Sequence, residues 1–124
     1  MRPPLALTRE QASRLLVYLQ DYRRLALTHL APSQERNTNQ RLLQALQGKL
    51  IQEMDQPSAM HYLSVTGEEV NALRTMVRDL LQWTTREPES DRRNAKLVDL
   101  AGLKSTIEKL AIYGPGNFSA PTLL

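Results

Sequence analysis

The chain has 124 residues, a formal net charge of +3 and no cysteine. That length is typical of one domain that can bury its own core. A content of 41% hydrophobic and 23% charged residues is too apolar for a disordered chain and too charged for a membrane protein. The absence of cysteine excludes disulfide frameworks, thiolate nucleophiles and cysteine zinc sites.

No segment has the pattern of a signal peptide or of a membrane span. The longest uninterrupted apolar run covers residues 15–19, which is far shorter than the ~20 residues that a helix needs to cross a bilayer. The first residues contain no apolar stretch of the ~7–15 residues typical of a signal peptide. We therefore expect a cytoplasmic protein that does not use a membrane as a partner.

Four segments carry apolar residues at the three- and four-residue spacing of amphipathic helices. They are separated by Pro32, Pro57 and Pro88, and proline disfavours helix in the residue before it. The four stripes consist of Ala12, Leu15, Leu16, Leu19, Tyr22, Ala26 and Leu30; of Leu42, Leu43, Leu46, Leu50 and Met54; of Val70, Leu73, Met76, Val77, Leu80, Leu81 and Thr84; and of Leu97, Leu100, Leu103, Ile107, Leu110 and Ala111. The pattern predicts an all-α fold of four helices.

The first and third helices begin with the same local signal. Thr8 is followed three residues later by Gln11, and Thr66 by Glu69, which predicts a capping box at each start. An apolar residue precedes each threonine, and another follows it by four residues, as in a hydrophobic staple. Both helix starts are therefore predicted with defined bounds.

The two capped segments match each other at an offset of 58 residues. The matched pairs are Glu10 and Glu68, Leu15 and Leu73, Leu19 and Val77, and Asp21 and Asp79. We interpret the chain as one domain of two similar helical hairpins, 8–56 and 66–112. An apolar linker, 57–65, is expected to pack along the bundle, and 113–124 to form a tail. Because short connections favour antiparallel neighbours, the predicted architecture is an up-down four-helix bundle.

Residue patterns that carry catalysis are missing. The sequence has no GxGxxG, phosphate-binding loop, GxSxG or HExxH pattern. Glu68 and Glu69 are adjacent and diverge by about 100° on a helix, so they do not face one substrate. His29 and His61 are interpreted as packed or helix-end histidines, since no carboxylates are spaced to complete a metal site. We therefore expect no enzyme activity, cofactor, metal or small-molecule substrate.

The first helix has the broadest apolar face. Tyr18, Tyr22 and Leu25 extend it to about half of the circumference at ~100° per residue. A helix this apolar lies centrally or meets a second subunit, and we expect it to be the most buried of the four. Trp83, beside the third stripe, suits either core packing or a partner contact. The candidate protein interface is Tyr18, Tyr22, Leu25 and Trp83.

Cations collect near the two hairpin turns. An up-down bundle places both turns, with the N-termini of the second and fourth helices, at one end, where positive helix dipoles favour anions. The candidate anion or nucleic-acid rim is Arg36, Asn39, Arg41, Arg92, Arg93 and Lys96. Acidic residues in the same turns, among them Glu35, Glu87, Glu89 and Asp91, offset part of this charge.

The sequence thus leaves two functions open. The leading hypothesis is a small non-catalytic adaptor or assembly subunit that binds a protein partner or its own copy. The alternative is a nucleic-acid-binding accessory subunit that uses the basic turns, since Arg and Asn are among the side chains that contact base edges.

Overall fold

The computed structural model describes residues 3–111, which form four helices and one small sheet. The elements in chain order are β1 (Leu5–Thr8), α1 (Arg9–His29), α2 (Gln34–Met54), β2 (Met60–Leu63), α3 (Gly67–Thr85) and α4 (Asp91–Ala111). The predicted four-helix bundle of two hairpins is confirmed. The last residue assigned to the second hairpin, 112, and the predicted tail, 113–124, lie outside the described residues.

Both predicted capping boxes are present. The Thr8 hydroxyl oxygen accepts a hydrogen bond from the Gln11 N–H at 3.1 Å, and the Gln11 side-chain oxygen accepts from the Thr8 N–H at 2.9 Å. Thr66 and Glu69 repeat this geometry with distances of 3.1 and 2.9 Å. Two amide groups that would otherwise lack partners are satisfied at each helix start.

A two-stranded antiparallel sheet precedes the first and third helices, and sequence reasoning did not predict it. In its register Leu5 pairs with Leu63 and Leu7 with His61. These four side chains are buried, whereas Ala6 and its partner Tyr62 are exposed. Four residues are too few for alternating burial to be recognised as a strand. Through this sheet the segment 57–65 packs against the helices, with His61, Leu63 and Val65 buried.

The core is centred on α3 rather than on α1, so the expectation that the first helix is the most buried is wrong. α1 carries six buried residues and α3 carries ten. The reason is that α3 packs against all three other helices, whereas the backbone of α4 stands away from α1. The broad apolar face of α1 is therefore only partly covered.

The two hairpins bury corresponding positions. Each buried residue of α1 has a buried counterpart 58 residues later in α3: Ala12 and Val70, Leu15 and Leu73, Tyr18 and Met76, Leu19 and Val77, Tyr22 and Leu80, and Ala26 and Thr84. At an offset of 57, Leu43 and Leu50 of α2 correspond to Leu100 and Ile107 of α4, which are also buried. The similarity seen in the sequence thus extends to the packing.

Aromatic contacts place the two hairpin turns at the same end of the bundle. The Tyr22 ring stacks on Trp83, with centroids 5.5 Å apart and planes 19° apart. His29, in the last turn of α1, packs on the same indole at 5.0 Å. Because the C-terminal halves of α1 and α3 meet, these helices run in the same direction and their following turns lie together.

Candidate interaction surfaces

The first hairpin turn is held by a serine and an arginine. Ser33 Oγ accepts from the Arg36 N–H at 3.0 Å and caps α2. The Arg36 guanidinium donates to the Leu30 carbonyl at 3.2 Å and to Asn37 Oδ1 at 3.3 Å. This arginine therefore satisfies a carbonyl at the end of α1, which a helix end requires.

The second turn repeats this arrangement. Ser90 Oγ accepts from the Arg93 N–H at 3.1 Å. The Arg93 side chain donates to the carbonyls of Thr84 and Thr85, each at 3.4 Å, and to Asn94 Oδ1 at 3.3 Å. The shared pattern is Ser-x-x-Arg-Asn at an offset of 57 residues. This spacing is the signal in the sequence that identifies the turns.

Each turn forms a cleft with the first helix of the other hairpin. The first turn cleft, of about 220 Å³, is lined by Ser33, Glu35, Arg36, Asn39, Thr75 and Asp79, among others. The second turn cleft, of about 370 Å³, is lined by the counterparts Ser90, Arg92, Arg93, Lys96, Val17 and Asp21, among others. The two clefts are thus equivalent surfaces of a repeated unit, with different side chains.

The aspartates of the two clefts have different environments. Asp79 is buried and accepts from the Tyr22 hydroxyl at 2.7 Å and from the Arg78 guanidinium at 3.3 Å. Within residues 3–111 its counterpart Asp21 has only an ion pair with Arg24, at 3.8 Å. The counterpart of Tyr22 is Leu80, which has no hydroxyl. Asp21 in the second turn cleft therefore lacks the hydrogen bond that Asp79 accepts from Tyr22 in the first turn cleft.

The helix contacts beside the two clefts also differ. Where α2 meets α3, Lys49 Nζ donates to the buried Glu69 carboxylate at 2.8 Å. The corresponding positions between α4 and α1 are Thr106 and Gln11, which cannot form an ion pair. They line a further cavity of about 230 Å³ between α1 and α4. We call this cavity and the second turn cleft together the α1–α4 groove.

The groove is bridged at its middle and flanked by apolar side chains. Asp99 accepts from the Tyr18 hydroxyl and, at 2.8 Å, from the Arg14 guanidinium. On either side of this bridge lie Val17, which is 51% exposed, and Val98, which is 74% exposed. Both valines thus expose apolar area beside the seam where the backbones of α1 and α4 stand apart.

The residues of the predicted protein interface are placed mostly inside the bundle. Tyr22 is 1% exposed and is a core residue, so its assignment to a surface is corrected. Tyr18 is buried apart from the edge that borders the groove, and Trp83 and Leu25 are partly buried against the core. The Tyr22 and Trp83 rings pack against each other in a stack inside the bundle.

Both buried tyrosines are held in the protonated form. Burial, followed by the hydrogen bond to Asp79 and the charge of that carboxylate, raises the pKa of Tyr22 well above its usual value. Burial and Asp99 raise the pKa of Tyr18 in the same way. Each phenol donates to a carboxylate, and the folded state favours the neutral donor over a second negative charge.

The predicted basic rim is divided between the clefts. Arg36 and Asn39 line the first turn cleft, whereas Arg92, Arg93 and Lys96 line the second. No cleft described within residues 3–111 contains both groups, and Arg41 lies exposed on α2. Arg36 and Arg93 are in addition bonded to helix-end carbonyls. The residues of the candidate rim are therefore divided between two clefts at this end of the bundle.

His61 lies in a polar cluster at the other end of the bundle. It is 1% exposed, with Nδ1 3.2 Å from Glu53 Oε2 and Nε2 3.2 Å from Arg9 Nη1. Since a guanidinium only donates, Nε2 accepts from Arg9 and Nδ1 donates to Glu53. Arg9 also donates to the Met54 and Gln56 carbonyls at 2.8 and 3.2 Å, which joins the end of α2 to the start of α1.

Two further properties of the described residues bear on function. Residues 3–111 contain no group of three His, Cys, Asp or Glu residues arranged to hold a metal ion. Among the helices of the same range, none combines the length and apolar character needed to span a bilayer.

No protein-family model, curated protein or solved structure matches this chain.

Proposed function

We propose that this chain is a small non-catalytic helical adaptor or assembly subunit that acts in the cytoplasm and binds a protein partner through the α1–α4 groove. The observation that carries the proposal is the uncovered seam between α1 and α4, whose counterpart between α2 and α3 is closed by packing and by the Lys49–Glu69 pair. Val17 and Val98 supply the apolar surface that a partner would bury.

Apolar burial is the main source of affinity at such a surface. Each square ångström of apolar area removed from water contributes about 25 cal/mol, and only part of that gain remains after the cost of association. Two exposed valines provide apolar area on either side of the Arg14–Asp99–Tyr18 bridge, Val98 in the cavity between α1 and α4 and Val17 in the second turn cleft. The groove therefore suits a helix or extended segment that lies along α1.

A site-specific cross-linking experiment tests the proposal, since the chain has no cysteine of its own. The Val98→Cys variant is labelled with a photo-reactive group and is expected to form a discrete protein adduct in cells of the organism from which the sequence comes. Adding Val17→Glu is expected to remove this adduct. The matched control is Arg41→Cys, because Arg41 is the exposed counterpart of Val98 on α2. Equal adducts from both cysteines, or none from Val98→Cys, contradict the proposal.

Nucleic-acid binding is the second candidate, favoured by one observation. Arg92 is exposed and pairs with no carboxylate of residues 3–111, and Lys96 lies in the same cleft. If duplex DNA or RNA is the ligand, affinity should fall steeply with salt and Arg92→Ala with Lys96→Ala should reduce that slope. Under the adaptor proposal no such binding is detected at low salt.

A further inference from the structure

The two turn clefts differ in the charge of the helix that borders them. α4 places Arg92 where α2 has Glu35, and Lys96 where α2 has Asn39. Both differences make the second turn cleft more positive. The backbone follows the same course around both clefts. The difference in charge therefore comes only from side chains that the fold does not require.

The positive charge of the second turn cleft is only partly neutralised. Lys96 lies 3.8 Å from Glu87, and Asp21 faces the cleft while paired with Arg24 outside it. Within residues 3–111, Arg92 pairs with no carboxylate, and the same holds for Arg93, which binds the carbonyls of Thr84 and Thr85 instead. The cleft thus contains three cations and two carboxylates. The Arg92 guanidinium has no partner within residues 3–111, whereas Arg93 keeps its positive charge while donating to Thr84, Thr85 and Asn94.

An apolar side chain lies beside these charges. Val17 lines the same cleft and is 51% exposed. A polyanion such as nucleic acid carries charge along its whole length, so it brings negative charge close to Asp21 and Glu87 as well as to the cations. A peptide segment with a few carboxylates next to apolar side chains satisfies both features, since arginine binds carboxylates through paired hydrogen bonds.

We propose that the second turn cleft binds an acidic amphipathic segment of a partner protein, whose carboxylates pair with Arg92, Arg93 and Lys96 while an apolar side chain packs on Val17. This inference rests on the proposed adaptor function and specifies the chemistry of the partner. The equivalent first turn cleft, with Glu35 and with Tyr22 bonded to Asp79, does not bind such a segment.

A selection from a phage-displayed library of random twelve-residue peptides tests the inference with the full chain as bait. Peptides enriched on the wild-type chain are expected to contain clustered Asp or Glu beside apolar residues. Their affinity is expected to fall at least tenfold on Arg92→Glu with Lys96→Glu, and less than twofold on the control Asn39→Glu with Arg41→Glu. Circular dichroism and thermal unfolding establish that each variant folds.

The possible results separate the two proposals. The inference is overturned if the enriched peptides are neutral or basic. It is also overturned if acidic peptides bind the Arg92→Glu, Lys96→Glu variant as tightly as the wild-type chain. In either case the adaptor function stands if binding of the peptides requires Val98. Failure to enrich any peptide that depends on Val17, Val98, Arg92 or Lys96 overturns both. Displacement of a bound peptide by short duplex DNA at moderate salt also overturns the inference, in favour of nucleic acid.

Discussion

The α2–α3 seam and the α1–α4 seam occupy equivalent places in two similar hairpins, yet only the first is closed. At the α2–α3 seam Ala72 of α3 is buried, and Lys49 pairs with Glu69. At the α1–α4 seam the counterpart of Ala72 is Arg14, a long side chain that reaches Asp99. A few side chains thus determine whether a repeated helix pair packs closely or leaves a groove, while the core positions stay the same.

The largest expected effect concerns those shared core positions. Leu43→Ala and Leu100→Ala remove counterpart side chains that are both fully buried. Each is expected to lower the free energy of unfolding by about 2–5 kcal/mol, as for buried leucines in general. Urea unfolding followed by circular dichroism measures both. If one variant loses less than about 1 kcal/mol, the two hairpins do not share a core plan.

A smaller effect is expected from the hydroxyl that distinguishes the two clefts. Tyr22→Phe removes a donor from buried Asp79 and should cost about 1–3 kcal/mol, whereas Leu80→Phe on the counterpart removes no hydrogen bond. Because the pKa of Tyr22 is raised in the folded state, the unfolded chain releases this proton first as pH rises. The contribution of Tyr22 to stability is therefore constant below a pH of about 10 and falls above it, by about 1.4 kcal/mol per pH unit.

The alkaline dependence provides the control for this variant. Wild type and Tyr22→Phe are unfolded in urea at a series of pH values above neutrality. The Tyr22→Phe chain is expected to lose stability less steeply than wild type at alkaline pH, because one proton-retaining phenol is absent. Parallel curves for the two proteins would show that Tyr22 titrates alike in the folded and unfolded states.

The smallest effect concerns the turns, which are the most similar parts of the two hairpins. Ser33→Ala and Ser90→Ala each remove a helix N-cap, and each should cost about 1 kcal/mol. The two values should agree within about 0.5 kcal/mol if the turns are equivalent. Thermal unfolding of both variants measures this. A large loss at one serine alone would show that the Ser-x-x-Arg-Asn pattern stabilises only one turn.

Features specified by local sequence were predicted well. Capping boxes at Thr8 and Thr66 and the helical stripes depend on residues within one or two turns of each other, so their spacing is visible in the sequence. The short strands were missed because β1 is stabilised by pairing with residues more than fifty positions away. The centre of the core was misplaced for the same reason, since it depends on which helices pack against one another, and α3 packs against all three others.

The candidate site was predicted only in part. Arg92, Arg93 and Lys96 were selected as a basic group, and the structure places them in one cleft. Their separation from Arg36 and Asn39 depends on how the turns pack against α1 and α3, which residue spacing does not encode. Val98 was not selected, because its exposure follows from the distance between α4 and α1 rather than from its place in the helical stripe.

The register of the small sheet shows how the two hairpins are related by symmetry, and why the α2–α3 and α1–α4 seams can differ. Leu5 pairs with Leu63, and the two are counterparts at the offset of 58 residues. A local twofold axis therefore passes between them, as in a symmetric dimer. In a dimer of identical chains both seams would have to be the same, because every residue occurs in both subunits. Joining the halves in one chain removes that constraint, so that Lys49 and Glu69 close one seam while Thr106 and Gln11 leave the other open.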